Sequence, residues 1–418
     1  MHPSADVVAR YGCSAVYKHP AAKVDIVLVH GLNGDPVKTW TSTGGVFWPS
    51  DLLPAALASH DDGDDEDGEK TTRPPACNII TYGYNADVFS TRHGTGSPSD
   101  NFIHQHAQTL VADLTMFRRA ADTLRNPIVW VAHSLGGIVV KRALLYSNDV
   151  RHAPPAHHHH GGGDDDVRAV FLSTYAVVFL GTPHLGAGSA VGGWACVLQR
   201  IVDAVLPRRL FHSEPVLLRA LRRDNETLAD INCHFLHVYQ RFRVHMVHEC
   251  HKTDVKGTKI TIVDADSASP QLPGVTYYGI EASHAEMCKF ASPHAPGFRT
   301  MVTDIRQWLL DAPAVVAVRW AFEDREKRAR ALGDALECIS PLFLPRASPS
   351  RLPSAALTPD SIAPTMFSLS NISALSLSTP HATAPRVARP ASPDAMSLRS
   401  EASTLVDEIV DQLYKLHA

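Results

Sequence analysis

Apolar positions along the chain come in two rhythms. Short continuous apolar runs occur at 24–30 (VDIVLVH), 78–81, 128–132, 177–180, 235–239 and 260–263. Runs of this length, without polar alternation, read as strands buried on both faces of a sheet. The longest apolar stretch, 169–180, is interrupted by Ser173 and Thr174. It is too short to span a bilayer and rich in β-formers, so it too reads as buried strand. Between the runs, three-four spacing predicts helices at 103–124, 137–146, 217–231 and 298–310, and a further charged helix over 312–338. Strand and helix alternate. That predicts an α/β fold with a mostly parallel central sheet, helices on both faces and right-handed crossovers.

Three segments break the rhythm. An acidic run, DDGDDEDGE at 61–69, leads into Thr-Thr-Arg-Pro-Pro, and RHAPPAHHHHGGGDDD fills 151–166. The first lacks the ligand alternation of a calcium loop. In the second, three glycines deny the histidines a fixed geometry, so both read as solvated loops. From 340 to 397 the chain is rich in Ser, Pro, Ala and Thr and poor in aromatics, a composition that cannot offset chain entropy by burial. This predicts an N-terminal segment at 1–20, one α/β domain over 20–335 with inserts at 60–75 and 151–166, a disordered linker at 340–397, and a terminal helix at 398–418. In that last helix Leu405, Ile409, Leu413 and Leu416 form one stripe.

Composition narrows the classes. With 44% hydrophobic residues the chain can bury a sizeable core, and a net charge of -4 offers no basic face for nucleic acid. The 7 cysteines are scattered with no C-x-x-C pair, which fits a reducing compartment better than a disulfide framework. Residues 1–10 include Asp6 and lack an apolar core region, so no secretory signal is read and an intracellular, not secreted, location is expected.

The chemistry gathers at 128–145 (IVWVAHSLGGIVVKRALL). A buried strand ends at Ala-His-Ser-Leu-Gly and a helix follows at once. This is the context of a nucleophile elbow, G-x-S-x-G, with Ala132 in place of the first glycine. The positions two before and two after the serine must be small, because strand and helix backbones meet there. Ser134 is thus the candidate nucleophile, at a helix N-terminus that favours developing negative charge. It needs a base. His284, in GIEASHAEMCKF, follows the last expected strand and precedes a domain helix. The chain order Ser, acid, His leaves the acid open. The strand ending at Tyr239 delivers Gln240, which has no charge to stabilise an imidazolium. Glu249, Asp254, Asp264 and Asp266 are the carboxylates that could serve, and Asp264, nearest the sheet edge and close in sequence to His284, is the choice. Leu135 and Leu32 are the expected oxyanion donors, Leu32 through the glycine-rich loop VHGLNG, where no Gly-Lys-Ser/Thr follows to make it a phosphate cradle. His30, Gly31, His133 and His184 are expected to line the pocket. His245, His248 and His251, with Cys250, read as exposed loop residues, and no metal or cofactor is called for.

Taken together, VHGLNGDPVKTW (29–40), FWPSDLLP (47–54), ITYGYNA (80–86), VAHSLGGIVVKRAL (131–144), FLGTPHLG (179–186), IVDADSA (262–268) and SHAEMCKF (283–290) resemble the α/β-hydrolases of the lipase/serine-esterase group. The likeness is to the hydrolase domains found alone or fused to nucleotide-binding sensor modules in fungal proteins. It covers residues 20–311. It implies Ser134 as nucleophile, His284 as base, and ester or lipid-ester substrates. It also implies a glutamate where this chain carries Gln240. Three functions are open on these grounds. The first is a cytoplasmic or membrane-peripheral serine hydrolase acting on a small-molecule or lipid ester through an acyl-enzyme. The second is a catalytically weak or inactive hydrolase fold used as a binding or signalling module. The third is a scaffold whose acidic terminal helix takes a protein partner.

Overall fold

The computed structural model describes residues 8–60, 72–73, 76–86, 102–149, 166–184, 193–205, 225–255 and 257–343. Backbone contacts divide the chain into residues 1–344 and 345–418. The acidic run, nearly all of the histidine insert, the expected linker beyond residue 343 and the expected terminal helix lie outside the described residues; residues 340–343, expected in the linker, end the last helix instead.

Seven strands form one sheet: β1 (Gly12–Tyr17), β2 (Val24–Val29), β3 (Cys77–Gly83), β4 (Ile128–His133), β5 (Thr174–Leu180), β6 (Arg243–Glu249) and β7 (Val275–Ile280). Their spatial order is β1-β3-β2-β4-β5-β6-β7. β1 pairs antiparallel with β3, and every other pair is parallel. The strands β2 to β5 are buried at every position, as their unbroken apolar runs require. The principal helices are α1 (Phe102–Ala120), α2 (Leu135–Asp149), α3 (Ala169–Ser173), α4 (Gly193–Val205), α5 (Asn225–Phe235) and α6 (Phe298–Phe343). One core cluster packs α1, α2, α4 and α5 against one face of the sheet. The other packs the aromatic segment 40–57 and α6 against the opposite face. Among the described residues no helix is long and apolar enough to cross a membrane.

Several elements differ from the pattern read along the chain. The expected strand at 235–239 is the end of α5 and the turn that follows it, and the true strand begins at Arg243. Phe235 and Tyr239 are buried, but on the face of a helix end rather than in a ladder. Of the expected strand at 260–263 only Ile260 is in a ladder, at the end of a short strand Thr258–Ile260 that pairs with Thr253–Val255. The stretch 169–180 is not one strand. Its first five residues form α3, and β5 starts at Thr174. The last sheet strand, β7, mixes exposed and buried positions because it lies at an edge, so no continuous apolar run marks it. The N-terminal segment is not separate from the sheet, since β1 lies within it. The two helices expected at 298–310 and 312–338 are one helix that continues through Pro313.

Inside β2 sits one charge that the run VDIVLV conceals. Asp25 is wholly buried and pairs with the equally buried Arg118 at 2.8 Å. Asn78 donates to the other carboxylate oxygen at 2.9 Å, and Arg118 also donates to the carbonyls of Thr123 and Asn126. The pair thus ties β2, β3, α1 and the turn before β4 together. Removing one partner strands the other in a medium of low polarity. Arg118→Met is expected to lower unfolding free energy by about 3–5 kcal/mol in urea titration, and Asp25→Leu added to it should recover most of that loss.

Candidate active site

The parallel strands deliver their C-terminal ends to one edge of the sheet, and Ser134, His284 and Glu249 converge there. β4 ends at His133, in register with Leu180 of β5. Leu180 pairs with Val247 of β6, and Glu249 of β6 pairs with Ile280 of β7. Ser134 follows β4 directly and has φ 52°, a left-handed conformation that costs an L-residue about 1–2 kcal/mol. The turn is held by backbone bonds from Ser134 N to Leu180 O at 2.9 Å and from Gly137 N to Ser134 O at 3.0 Å. The hydroxyl of Thr182 donates to the same Ser134 carbonyl at 3.0 Å.

The glycines explain why the turn can be so tight. A Cβ on Gly136 would stand 2.3 Å from the carbonyl oxygen of His30. A Cβ on Gly31 would stand 2.8 Å from the Cβ of Ser134. The loop after β2 therefore lies flat against the serine, with Leu32 next in line and buried. His30 is locked beneath it. Its Nδ1 donates to Gly31 O at 2.9 Å, its Nε2 accepts from Tyr84 N at 3.3 Å, and its ring stacks on Tyr84.

His284 reaches Ser134 across 150 residues of sequence. Its Nε2 lies 2.9 Å from the Ser134 Oγ, and both residues are almost fully buried, at 3% and 2% exposure. The other ring nitrogen, Nδ1, faces Glu249 Oε2 at 3.5 Å. Neither of these two atoms has another partner among the described residues. The second oxygen of Glu249 accepts from the backbone N–H groups of Ile262 and Val263, which fixes the carboxylate's orientation. That is why 260–263 makes no sheet strand: its amides are given to a side chain.

The segment carrying His284 is itself anchored. His133 donates from Nε2 to the His284 carbonyl at 2.9 Å. Burial, with His284 as a second cause, lowers the His133 pKa to about 3, so its ring stays neutral and the donor is retained. From the other side the Trp48 indole donates to Cys288 O at 2.9 Å, and Trp48 packs edge-on against Phe290 and Phe298. The FWPS motif thus holds the histidine loop in place.

The carboxylate that faces His284 is Glu249; Asp264, the expected one, lies elsewhere. Asp264 caps the short helix Ala265–Ala268, accepting from Ser267 N at 2.9 Å, and lies 3.9 Å from Arg200. Asp254 accepts from Gly257 N in the hairpin turn, and Asp266 is exposed. Gln240 precedes β6, so it lies at the opposite edge of the sheet from Ser134. Glu249 ends β6, the second strand beyond the elbow, which begins only at Arg243 and so follows Gln240. His184 does not join Ser134 and His284 but lines a separate cavity with Lys141. His245 is no exposed loop residue: it is buried on β6, 2.9 Å from Asp304. Among the described residues no group of His, Cys, Asp and Glu is arranged to hold a metal ion.

A sheet ordered β1-β3-β2-β4-β5-β6-β7 carries an elbow serine after β4, a carboxylate at the end of β6 and a histidine after β7. This is the α/β-hydrolase fold. Solved structures similar to this chain include the lipase BlEst2 of Bacillus licheniformis, at 15% identity over 69% of this chain and 97% of that one, with a TM-score of 0.39. Another is a monoglyceride lipase variant from Saccharomyces cerevisiae, at 12% identity over 72% and 91%, TM-score 0.35. By sequence, the chain is similar to Protein SERAC1 of Danio rerio, 23% identical over 273 residues (64% of this chain), and of Homo sapiens, 25% identical over 173 residues (40% of this chain). It spans 36% and 22% of those two relatives. No family model matches the chain.

The strain at the elbow is measurable without any substrate. Ser134→Gly and Ser134→Ala both remove the hydroxyl, but only alanine keeps the Cβ at positive φ. The glycine variant is expected to be the more stable of the two by about 1 kcal/mol in urea titration. Gly136→Ala is expected to cost about 1–3 kcal/mol in the same titration, because its neighbour is backbone that cannot swing away.

Proposed function

We propose that the protein is a serine hydrolase that cleaves carboxylic esters, of lipid or other acyl type, through an acyl-enzyme on Ser134. The observation that carries this reading is the buried chain of contacts from Ser134 Oγ to His284 Nε2 and from His284 Nδ1 to Glu249. A serine hydroxyl alone is a weak nucleophile, and a neutral imidazole at 2.9 Å is positioned to take its proton as it attacks the acyl carbonyl. Glu249 stabilises the imidazolium that forms and selects the tautomer with its proton on Nδ1. The N–H groups of Leu135, at the start of α2, and of Leu32, in the loop pressed against Ser134, receive the oxyanion. The tetrahedral intermediate then collapses: His284 returns the proton to the leaving alcohol oxygen and the acyl group stays on Ser134. Water, deprotonated by the same imidazole, releases the carboxylic acid and restores the serine.

The acidic partner favours activity over the inert-module reading, whose motive was the uncharged Gln240. His133 acts as a positioning residue, since it holds the His284 backbone and does not touch the reacting atoms.

A fluorophosphonate probe is expected to label the wild type and not Ser134→Ala; equal labelling of both, or of neither, would remove the nucleophile. With p-nitrophenyl esters of graded acyl length, Glu249→Gln should lower kcat about a thousandfold to ten-thousandfold, whereas Asp264→Asn should leave it within about threefold of the wild type. The reverse ranking would restore Asp264 as the acid.

A further inference from the structure

A second polar constellation lies buried away from the nucleophile. Lys141, on α2, is 2% exposed, and its Nζ donates to His184 Nδ1 at 2.6 Å and to Asn232 Oδ1. Asn232 is fixed in turn by its own donation to Leu228 O at 2.9 Å. The rings of Phe179 and Phe235 stand 5.3 and 5.1 Å from the amine. Among the described residues no carboxylate pairs with Lys141. A buried ammonium surrounded only by neutral groups is costly, and burial drives the amine well below its ordinary range.

The imidazole carries the second observation. Because His184 Nδ1 accepts from Lys141, its proton sits on Nε2. That N–H is buried and has no acceptor among the described residues. Orphaned buried donors are rare in folded proteins and point to a missing partner. Both groups line a cavity of about 600 Å³, well within the size of small-molecule sites. Its remaining wall is largely apolar, with Phe235, Met246, Leu236 and Leu272, and neither Ser134 nor His284 lines it. Asp266 lies on its exposed rim.

We propose that this cavity is a binding site for a monocarboxylate bearing an aliphatic chain, distinct from the Ser134 centre. One carboxylate oxygen takes a charge-assisted bond from Lys141 Nζ and the other accepts the His184 Nε2–H. The anion supplies the countercharge that lets the buried amine hold its proton. The chain lies along Met246 and Leu272 toward Leu236, which is 45% exposed at the mouth. A single cation with one further donor suits a carboxylate better than a phosphate dianion, which would be left undercompensated.

The test is isothermal titration of the full-length protein with octanoate and with 1-octanol. It reads binding and not turnover, so its outcome is separate from that of the hydrolytic reading. Octanoate is expected to bind the wild type, and 1-octanol to bind at least about tenfold more weakly. Lys141→Met, which keeps the length of the side chain without its charge, should weaken octanoate at least about tenfold. Leu236→Glu sets a like charge at the exposed mouth, where the fold tolerates it, and should weaken octanoate as well. It decides the matter should the Lys141 variant not fold. Octanoate binding that is absent in the wild type, matched by 1-octanol, or unchanged in the folded variants overturns the proposal.

Discussion

The site depends on one close approach of backbone to backbone. The loop after β2 and the start of α2 meet at Gly31, Ser134 and Gly136 with no room for a side chain between them. That contact forces Ser134 into a left-handed conformation, sets its hydroxyl at the sheet edge, and lays the candidate oxyanion loop against it. Everything else at the edge is arranged to keep this strained turn in place. β5 accepts the Ser134 amide, Thr182 bonds the Ser134 carbonyl, and the buried strands behind it leave the elbow nowhere to relax. Strain of this kind survives only where its surroundings over-determine it.

The three groups that meet at this edge follow different strands, and each is fixed by a support of its own. Glu249 is held by two backbone amides given up by the segment after the small hairpin. His284 is held through its carbonyl by a neutral His133, and through the chain beyond it by the tryptophan and phenylalanine cluster. The supports come from opposite sides of the sheet. This is why motifs as far apart as FWPS and SHAEMCKF appear in one chain: the first is the wall on which the second rests.

Buried charge serves two different ends in this molecule. Asp25 and Arg118 neutralise each other and stitch strands to a helix, so their charges are balanced within the fold. Lys141 has neutral partners alone, and its neighbour His184 keeps an unanswered donor. A closed network reads as structure. An open one beside a cavity reads as a place for something to bind.

The sequence by itself determined the elbow, the parallel α/β order and the pairing of Ser134 with His284. Each rests on local rules: small residues at a strand-to-helix turn, unbroken apolar runs for strands covered on both faces, and a histidine after the last strand. Which carboxylate faces His284 became legible only in the folded chain. Phe235 and Tyr239 are apolar because a helix end buries them, and periodicity over five residues cannot tell that from a strand. Misplacing that strand put Gln240 at the edge that Glu249 occupies, and made Asp264 the nearest carboxylate when its oxygen was already spent on a helix cap. The edge strand β7, half exposed and without an apolar run, and the Lys141–His184–Asn232 network were invisible for the same reason. Their members come together only when the sheet and its helices close over them.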